Sequence, residues 1–292
     1  MIAQLVINTF VTSSTILLVA SGLLIILRVN RFINFSHGIV VTSSAYLFFI
    51  MNNILELPIM LGTIISLLVT ILLGCVIEIS IFRPLRYVNA SSLILLLTSL
   101  GVYIIIQNII SLIFEDDTKI IRLSVMLEGF NFLGGRITAI QIVAIITSMV
   151  LVGAVLWGMK KTRMGKAMRA LANDPELSAV SGIDSDRITI WVFGIGSALA
   201  GVAGILVAID IGMTPTMGLN VLMLAVVAVI IGGVGSIPGM ALGALLLAAA
   251  QQFASWQFGS QWQDSLAFAI LLVFLLIRPQ GFLGRKPRKA TL

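Results

Sequence analysis

Histidine and cysteine each occur once in this chain, at His37 and Cys75, and only 10% of its 292 residues are charged. Each shortage closes a class of function. A single cysteine inside an apolar run rules out an intrachain disulfide and says nothing of redox compartment. One histidine and one cysteine fall short of a zinc ligand set, so no metal site is expected. The charge content lies well under the roughly 25% of soluble domains, beside 59% hydrophobic residues and a mean hydropathy of +1.13. Such a chain belongs in a bilayer. Within its apolar runs no two carboxylates, and no histidine with a carboxylate, stand together. A proton relay needs a titratable group at depth, and an intramembrane protease needs a nucleophile with a base or two aspartates. No catalytic residue is therefore expected. The P-loop pattern is missing as well: Gly165 and Lys166 are followed by Ala167, so ATP is not bound here in that manner.

What the chain does have is long apolar runs. Helices are predicted at 2–27, 36–54, 58–82, 90–114, 137–159, 188–209, 219–234, 237–255 and 264–278, each near the roughly 20 residues that cross the hydrocarbon. A β-barrel would show alternating segments of about ten residues, whereas these runs are apolar on every face. The expected class is all-α, a polytopic transmembrane bundle in one domain, 1–292. The first run has no ionised side chain and no basic region before it, so it is read as a retained helix rather than a cleaved signal. The stretch IGGVGSIPG leaves open whether 219–255 makes two full spans or a re-entrant pair.

Charge gives the orientation. Fifteen of the 18 basic residues fall after the first, third and fifth runs or in the C-terminal tail, from Arg28 and Arg31 through Arg83 and Arg86 to Arg285–Lys289. The alternate breaks hold Lys119, Arg122 and Arg136 among Glu115, Asp116, Asp117 and Glu128. The positive-inside rule then puts the N-terminus outside and the C-terminus in the cytoplasm, with an odd number of spans, for which nine serves. The net charge of +6 reads as topology plus attraction to anionic membrane lipid, not as nucleic-acid binding. The outside segment 115–136 is too short for a separate unit and is expected to form a small cap or amphipathic turn.

Few polar residues lie inside the runs. Glu78, one turn before Arg83–Arg86, is expected to pair with them, and Asp210 and Asp264 fall at outer helix ends. SALAGVAG and the Gly239–Gly243 pair present small faces for close helix packing. Polar residues at depth are candidates for a translocation path or for interhelical hydrogen bonds: Asn8 and Thr12, then Asn34, Ser36, His37 and Thr42, then Thr98 (with Ser99) and Gln107. In RVNRFINFSHGIV, Asn34 or Ser36 can cap the second helix, which makes His37 a hydrogen-bonding residue near its start. If that helix begins as a broken segment inside the membrane, Asn34 and His37 reach the path.

The longest basic break, about 160–187, is KKTRMGKAMRALANDPELSAVSGIDSDR. MGKAMRALAND has helix-forming composition, and a second short helix follows, with Asp174 or Asn173 as cap, Pro175 in first position and Gly182 as stop. Two such helices offer a docking platform or a plain structured loop. RMGKAMRALANDPELSAVSGIDSDRI followed by FGIGSALAGVAGIL closely resembles the permeases of ABC importers of the branched-chain amino acid family, especially the LivH-type subunit. INFSHG, EISIFRPLR, GGVGSIPGMALG and RPQGFLGR match in the same order, from about residue 17 to 285.

The resemblance implies a transport subunit of the bacterial cytoplasmic (inner) membrane, with no enzymatic activity and no cofactor of its own. ATP and magnesium would be bound by two cytoplasmic ABC ATPase subunits. A second, LivM-like permease subunit and an extracytoplasmic substrate-binding protein would complete the importer, whose cargo is branched-chain amino acids. Urea, short amides or other small amino acids are the alternative cargo. The ATPase-coupling surface carried over would comprise Arg163, Gly165, Arg169, Ala170, Asn173, Asp174, Glu176, Ala179 and Gly182.

Overall fold

The structure, a computed structural model, describes residues 2–121, 129–132, 134–278 and 280–283. Arg122, Glu128, Arg285, Lys286, Arg288 and Lys289, used above for orientation, and Pro279, Gly284 and Arg285 of RPQGFLGR lie outside the described residues. The chain runs α1 (Ile2–Asn30), α2 (Ser36–Phe49), α3 (Ile59–Ile77), α4 (Arg83–Tyr87), α5 (Ser92–Phe114), β1 (Gly129–Phe132), β2 (Gly135–Thr138), α6 (Ala139–Lys161), α7 (Arg163–Asn173), α8 (Pro175–Val180), α9 (Ser185–Ile211), α10 (Met217–Gly232), α11 (Ile237–Gln257) and α12 (Gln263–Ile277).

Every predicted apolar run is a helix, because in hydrocarbon a backbone can satisfy its polar groups only internally. Among the described residues seven helices are long and apolar enough to cross a membrane. The runs predicted at 36–54 and 219–234 are shorter as α-helix: α2 has 14 residues and α10 has 16. Gly212, at φ +89°, ends α9. α2 continues through a π turn, Ile50–Ile54, and a second π turn, Glu78–Phe82, joins α3 to α4.

α1 and α9 form the centre. In their most apolar stretches 67% and 83% of residues are buried, against 22% in α6 and 6% in α12. Small residues make that density possible. A Cβ on Gly201 would lie 3.0 Å from Leu67, and one on Gly204 3.0 Å from the Val41 carbonyl carbon. Burial of apolar area stabilises little in lipid, so close van der Waals packing of this kind carries the assembly. α3, α5, α6 and α12 surround the pair and present apolar side chains outward, among them Leu72, Leu112, Met149 and Leu276.

The cap expected from 115–136 is in part a hairpin: β1 and β2 pair antiparallel from Gly129↔Thr138 to Phe132↔Gly135. The Arg136 N–H donates to Gln4 Oε1 at 2.7 Å, and Gln4 Nε2 donates back to the Arg136 carbonyl at 3.0 Å. Just before it, Lys119 and Met213 exchange backbone hydrogen bonds of 3.0 and 2.9 Å. The IGGVGSIPG stretch resolves into a tight turn between α10 and α11, with Gly233 and Gly235 at positive φ.

Candidate functional site

Two features gather most of the residues singled out by sequence. The first is the platform of α7 and α8. Thr162 starts α7: its Oγ1 accepts from the Gly165 N–H at 2.9 Å and donates to the Gly158 carbonyl at 2.7 Å. Met168 and Leu171, buried with Gly165, define the inner face of α7. Gly165 has no room for a side chain, since a Cβ would stand 2.5 Å from the Met159 Cα. Of the nine coupling candidates it is the one fully buried, and its part is to let α7 lie against the end of α6. Asp174, not Asn173, caps α8, accepting the Leu177 N–H at 3.0 Å, with Pro175 in the first turn. Gly182, at φ +79°, follows the end of α8. Arg163, Asn173, Asp174, Glu176, Ala179 and Gly182 are exposed, and Arg169 and Ala170 half-buried.

Two residues missing from the candidates share that surface. Leu177 is 64% exposed and Val180 is 86% exposed. These are the large aliphatic side chains left open on α8. The signal was present in PELSAV, but a six-residue helix is too short for an amphipathic pattern to be distinguished from burial.

The second feature lies midway along α1. After Asn30 the chain turns back, with Arg31 at φ 59°, and α2 begins beside Val19, whose carbonyl lies 3.2 Å from His37 Nε2. Eleven residues separate Val19 from the end of α1 at Asn30, about 16 Å of helix. So α2 starts deep inside the bundle. Asn34 Oδ1 accepts the Ser36 N–H at 3.0 Å and the Ser36 hydroxyl at 2.6 Å. Ser99 Oγ accepts the Phe35 N–H at 2.9 Å. Asn34, Ser36, His37 and Thr42 are all at most 1% exposed, and the first three line a small cleft with Ser197 and Gly74.

α10 starts at the same place. The Gly218 N–H donates to Thr42 Oγ1 at 3.1 Å, and a Cβ on Gly38 would stand 2.9 Å from the Gly218 carbonyl oxygen. From this crossing α2 runs toward the end where α5 finishes, its Tyr46 ring 4.8 Å from Phe114. α10 runs the other way, toward the turn where Gly235 lies by Arg28. The short α10 and the start of α2 therefore meet by their N-terminal turns inside the bundle.

The remaining path candidates stand apart. Thr12 Oγ1 accepts from Gln252 Nε2 at 3.1 Å, and Asn8 Oδ1 accepts from Gln4 Nε2 at 2.9 Å, toward the hairpin end. Thr98 is half-buried, while its neighbour Ser99 faces α2. Gln107 Oε1 accepts from Asn108 at 3.3 Å.

Charge gathers at one further point. Glu78, fully buried on the second π turn, pairs with Arg86, as expected. Arg86 also donates to Asn30 at the end of α1, at 3.3 Å, and Arg83 bonds Asp186 in the first turn of α9, at 2.8 Å. The network ties α1, α3–α4 and α9 together beside the platform. Among the described residues no cluster of His, Cys, Asp and Glu could hold a metal ion.

The family described as branched-chain amino acid transport system / permease component matches residues 5–275. This chain belongs to that family. The permease is similar to the high-affinity branched-chain amino acid transport system permease protein BraD of Pseudomonas aeruginosa, at 35% identity covering 97% of this chain and 95% of BraD. It is 31% identical to the permease protein LivH of Escherichia coli K12, with the same coverage. Among solved structures, PsaBC from Streptococcus pneumoniae in complex with Fab covers 94% of the permease and is itself covered to 91%, at 13% identity and a TM-score of 0.49. The permease is an all-α, multi-pass protein of the bacterial inner membrane, and its kind serves ABC importers.

One link in the permease was not legible in sequence. Arg31, read there as a topology marker, donates to the carbonyls of Ala172 and Asn173 at the end of α7, both at 3.2 Å. It joins the platform to the segment that carries Asn34 and His37. A side chain that satisfies carbonyls 141 and 142 positions away leaves no local pattern to read.

Proposed function

We propose that this permease moves leucine, isoleucine and valine into the cytoplasm as one of two transmembrane subunits of an ABC importer. Its partner is a LivM-like permease. Two ABC ATPases dock on α7 and α8 and bind the ATP and magnesium, and an extracytoplasmic binding protein delivers the cargo. The observation that carries this reading is the match over nearly the whole length to permeases whose names specify branched-chain amino acids. The N-terminus lies outside and α7–α8 in the cytoplasm, with nine helices in the bundle and α2 and α10 complementing each other in depth. The polypeptide is one permease domain.

In this mechanism the ATPases move α7–α8 on closing. Arg31 carries that displacement to the α1–α2 link, and the Gly38–Gly218 crossing is the element it shifts. Neutral hydroxyl and amide groups suit a zwitterion that must pass without being held, because a tight site slows release. Asn34, Ser36, His37 and Thr42 serve the path from inside the crossing, with Thr98 level with them on α5, and Asn8, Thr12 and Gln107 serve its outer approaches.

Binding-protein-dependent uptake of labelled leucine into proteoliposomes tests the cargo. Unlabelled isoleucine and valine are expected to compete and urea to have no effect. Competition by urea or a short amide, with none from valine, would reassign the cargo to the alternative class.

A further inference from the structure

The basic residues at the α7–α8 end do more than mark a face. Arg28, Arg31, Lys160 and Arg169 converge on one recess of about 680 Å³, bounded by the ends of α1 and α6, by α7, and by the turn Val234–Pro238. No Asp or Glu lines it among the described residues. Its size falls within the roughly 300–1,000 Å³ of small-molecule sites.

Membrane topology asks for positive charge in the loops of this face. It does not ask four cations to share a concavity, where each makes the next more costly. Helix ends offset part of the excess. α1, α6 and α7 all finish at the recess, and each C-terminus carries about half a negative charge. Arg31 meets the end of α7 directly, at the Ala172 and Asn173 carbonyls. A tetrahedral oxyanion presents acceptors on several sides, which suits basic groups approaching from α1, α6 and α7 better than a planar carboxylate does.

We infer that this recess binds a phosphate group, free or esterified, between α7 on one side and α1, α6 and the α10–α11 turn on the other. Arg presents forked donors and Lys a point charge, the pair of chemistries that proteins use on phosphate. Leu27, Leu156, Met159 and Ile237 supply the apolar part of the wall. Because the two sides belong to different elements, a bound phosphate favours the position of α7 seen here. That consequence for transport rests on the coupling role proposed above; the binding does not.

The test uses the assembled importer in nanodiscs of neutral phosphatidylcholine. The Tm of the permease is followed as inorganic phosphate replaces chloride at matched ionic strength. A saturable rise is expected in the wild type. The Arg28→Gln/Lys160→Gln variant is expected to need at least about tenfold more phosphate for the same rise, the loss of two charged contacts. The charge-keeping Arg28→Lys/Lys160→Arg variant should respond like the wild type. Phosphate taken up by the ATPases moves wild type and variant alike, so the difference between them reports the recess. Should the double variant fail to assemble, Lys160→Gln on its exposed side chain carries the same comparison.

Nanodiscs containing phosphatidylglycerol separate the sources. If that lipid gives the rise and removes the response to free phosphate, the ligand is a lipid headgroup. If free phosphate still adds its rise, the ligand is soluble. Equal responses of wild type and the Gln variants, or no rise from either source, would overturn the site while leaving the uptake competition untouched.

Discussion

Gly38 and Gly218 hold one of the close backbone crossings of the bundle. A Cβ on Gly38 would press into the Gly218 carbonyl, which is backbone and has nowhere to go. Gly38→Val is expected to cost about 3 kcal/mol or more, read as lost assembly or a lowered Tm. Gly101→Ala, where a Cβ meets nothing within 4 Å, should stay within about 0.5 kcal/mol of wild type. The buried ion pair makes a different prediction. Arg86→Ala strands the Glu78 carboxylate and should cost about 3–5 kcal/mol, whereas Glu78→Leu/Arg86→Met should recover most of that loss. A thermal-melt series on the single and double variants checks both halves. At this scale the sequence was informative where the rule is local: EISIF before RPLR announced the pair, because eight residues bring Glu78 and Arg86 together on one helical rod. The Gly38–Gly218 contact joins residues 180 positions apart in chain numbering, and nothing in INFSHG distinguishes a glycine that meets a backbone from one that ends a turn.

Between elements, what matters is which helix leans on which. The α7–α8 platform was readable because its punctuation is chemical: a capping Asp174, a Pro175 after it and a Gly182 behind. The surface it offers was only half readable, since the charged candidates were visible and the aliphatic ones were not. Val180→Glu is expected to weaken ATPase association by about 30-fold or more, the scale of an interface hot spot, measured by co-purification from membranes. Reversing charge at Arg169 or Glu176 should weaken it less, because rim charges chiefly set association rate. Arg31→Gln should give another result. The ATPases still bind, while uptake per ATP hydrolysed falls, since the variant loses the tie between α7 and the α1–α2 link but leaves the docking surface intact. Loss of ATPase binding in Arg31→Gln would mean that the tie is scaffolding for the platform.

For the molecule as a whole, composition alone assigned the class, since a chain this apolar has few other folds open to it. Replacing its sole cysteine, Cys75, by serine gives a background for labelling. An impermeant maleimide is expected to reach Glu115→Cys only from outside intact cells and Glu176→Cys only after the membrane is opened; the reverse pattern would invert the topology. Depth was the property that sequence concealed most fully. Hydropathy reports that a segment is apolar, not where along the bilayer normal it starts. The meeting of α2 and α10 also bears on how the chain is made. α10, at 16 residues, is too short for the bilayer to hold it as an independent span, and α2 with its π turn carries Ser36, His37, Asn52 and Asn53, a polar load for so short a rod. During synthesis α2 emerges more than 140 residues before α9 is complete, and its partner α10 comes later still. Its insertion is therefore a deferred event, secured only when the last third of the protein arrives. A chain stopped after α6 should leave this segment open to membrane proteases, and one stopped after α10 should shield it.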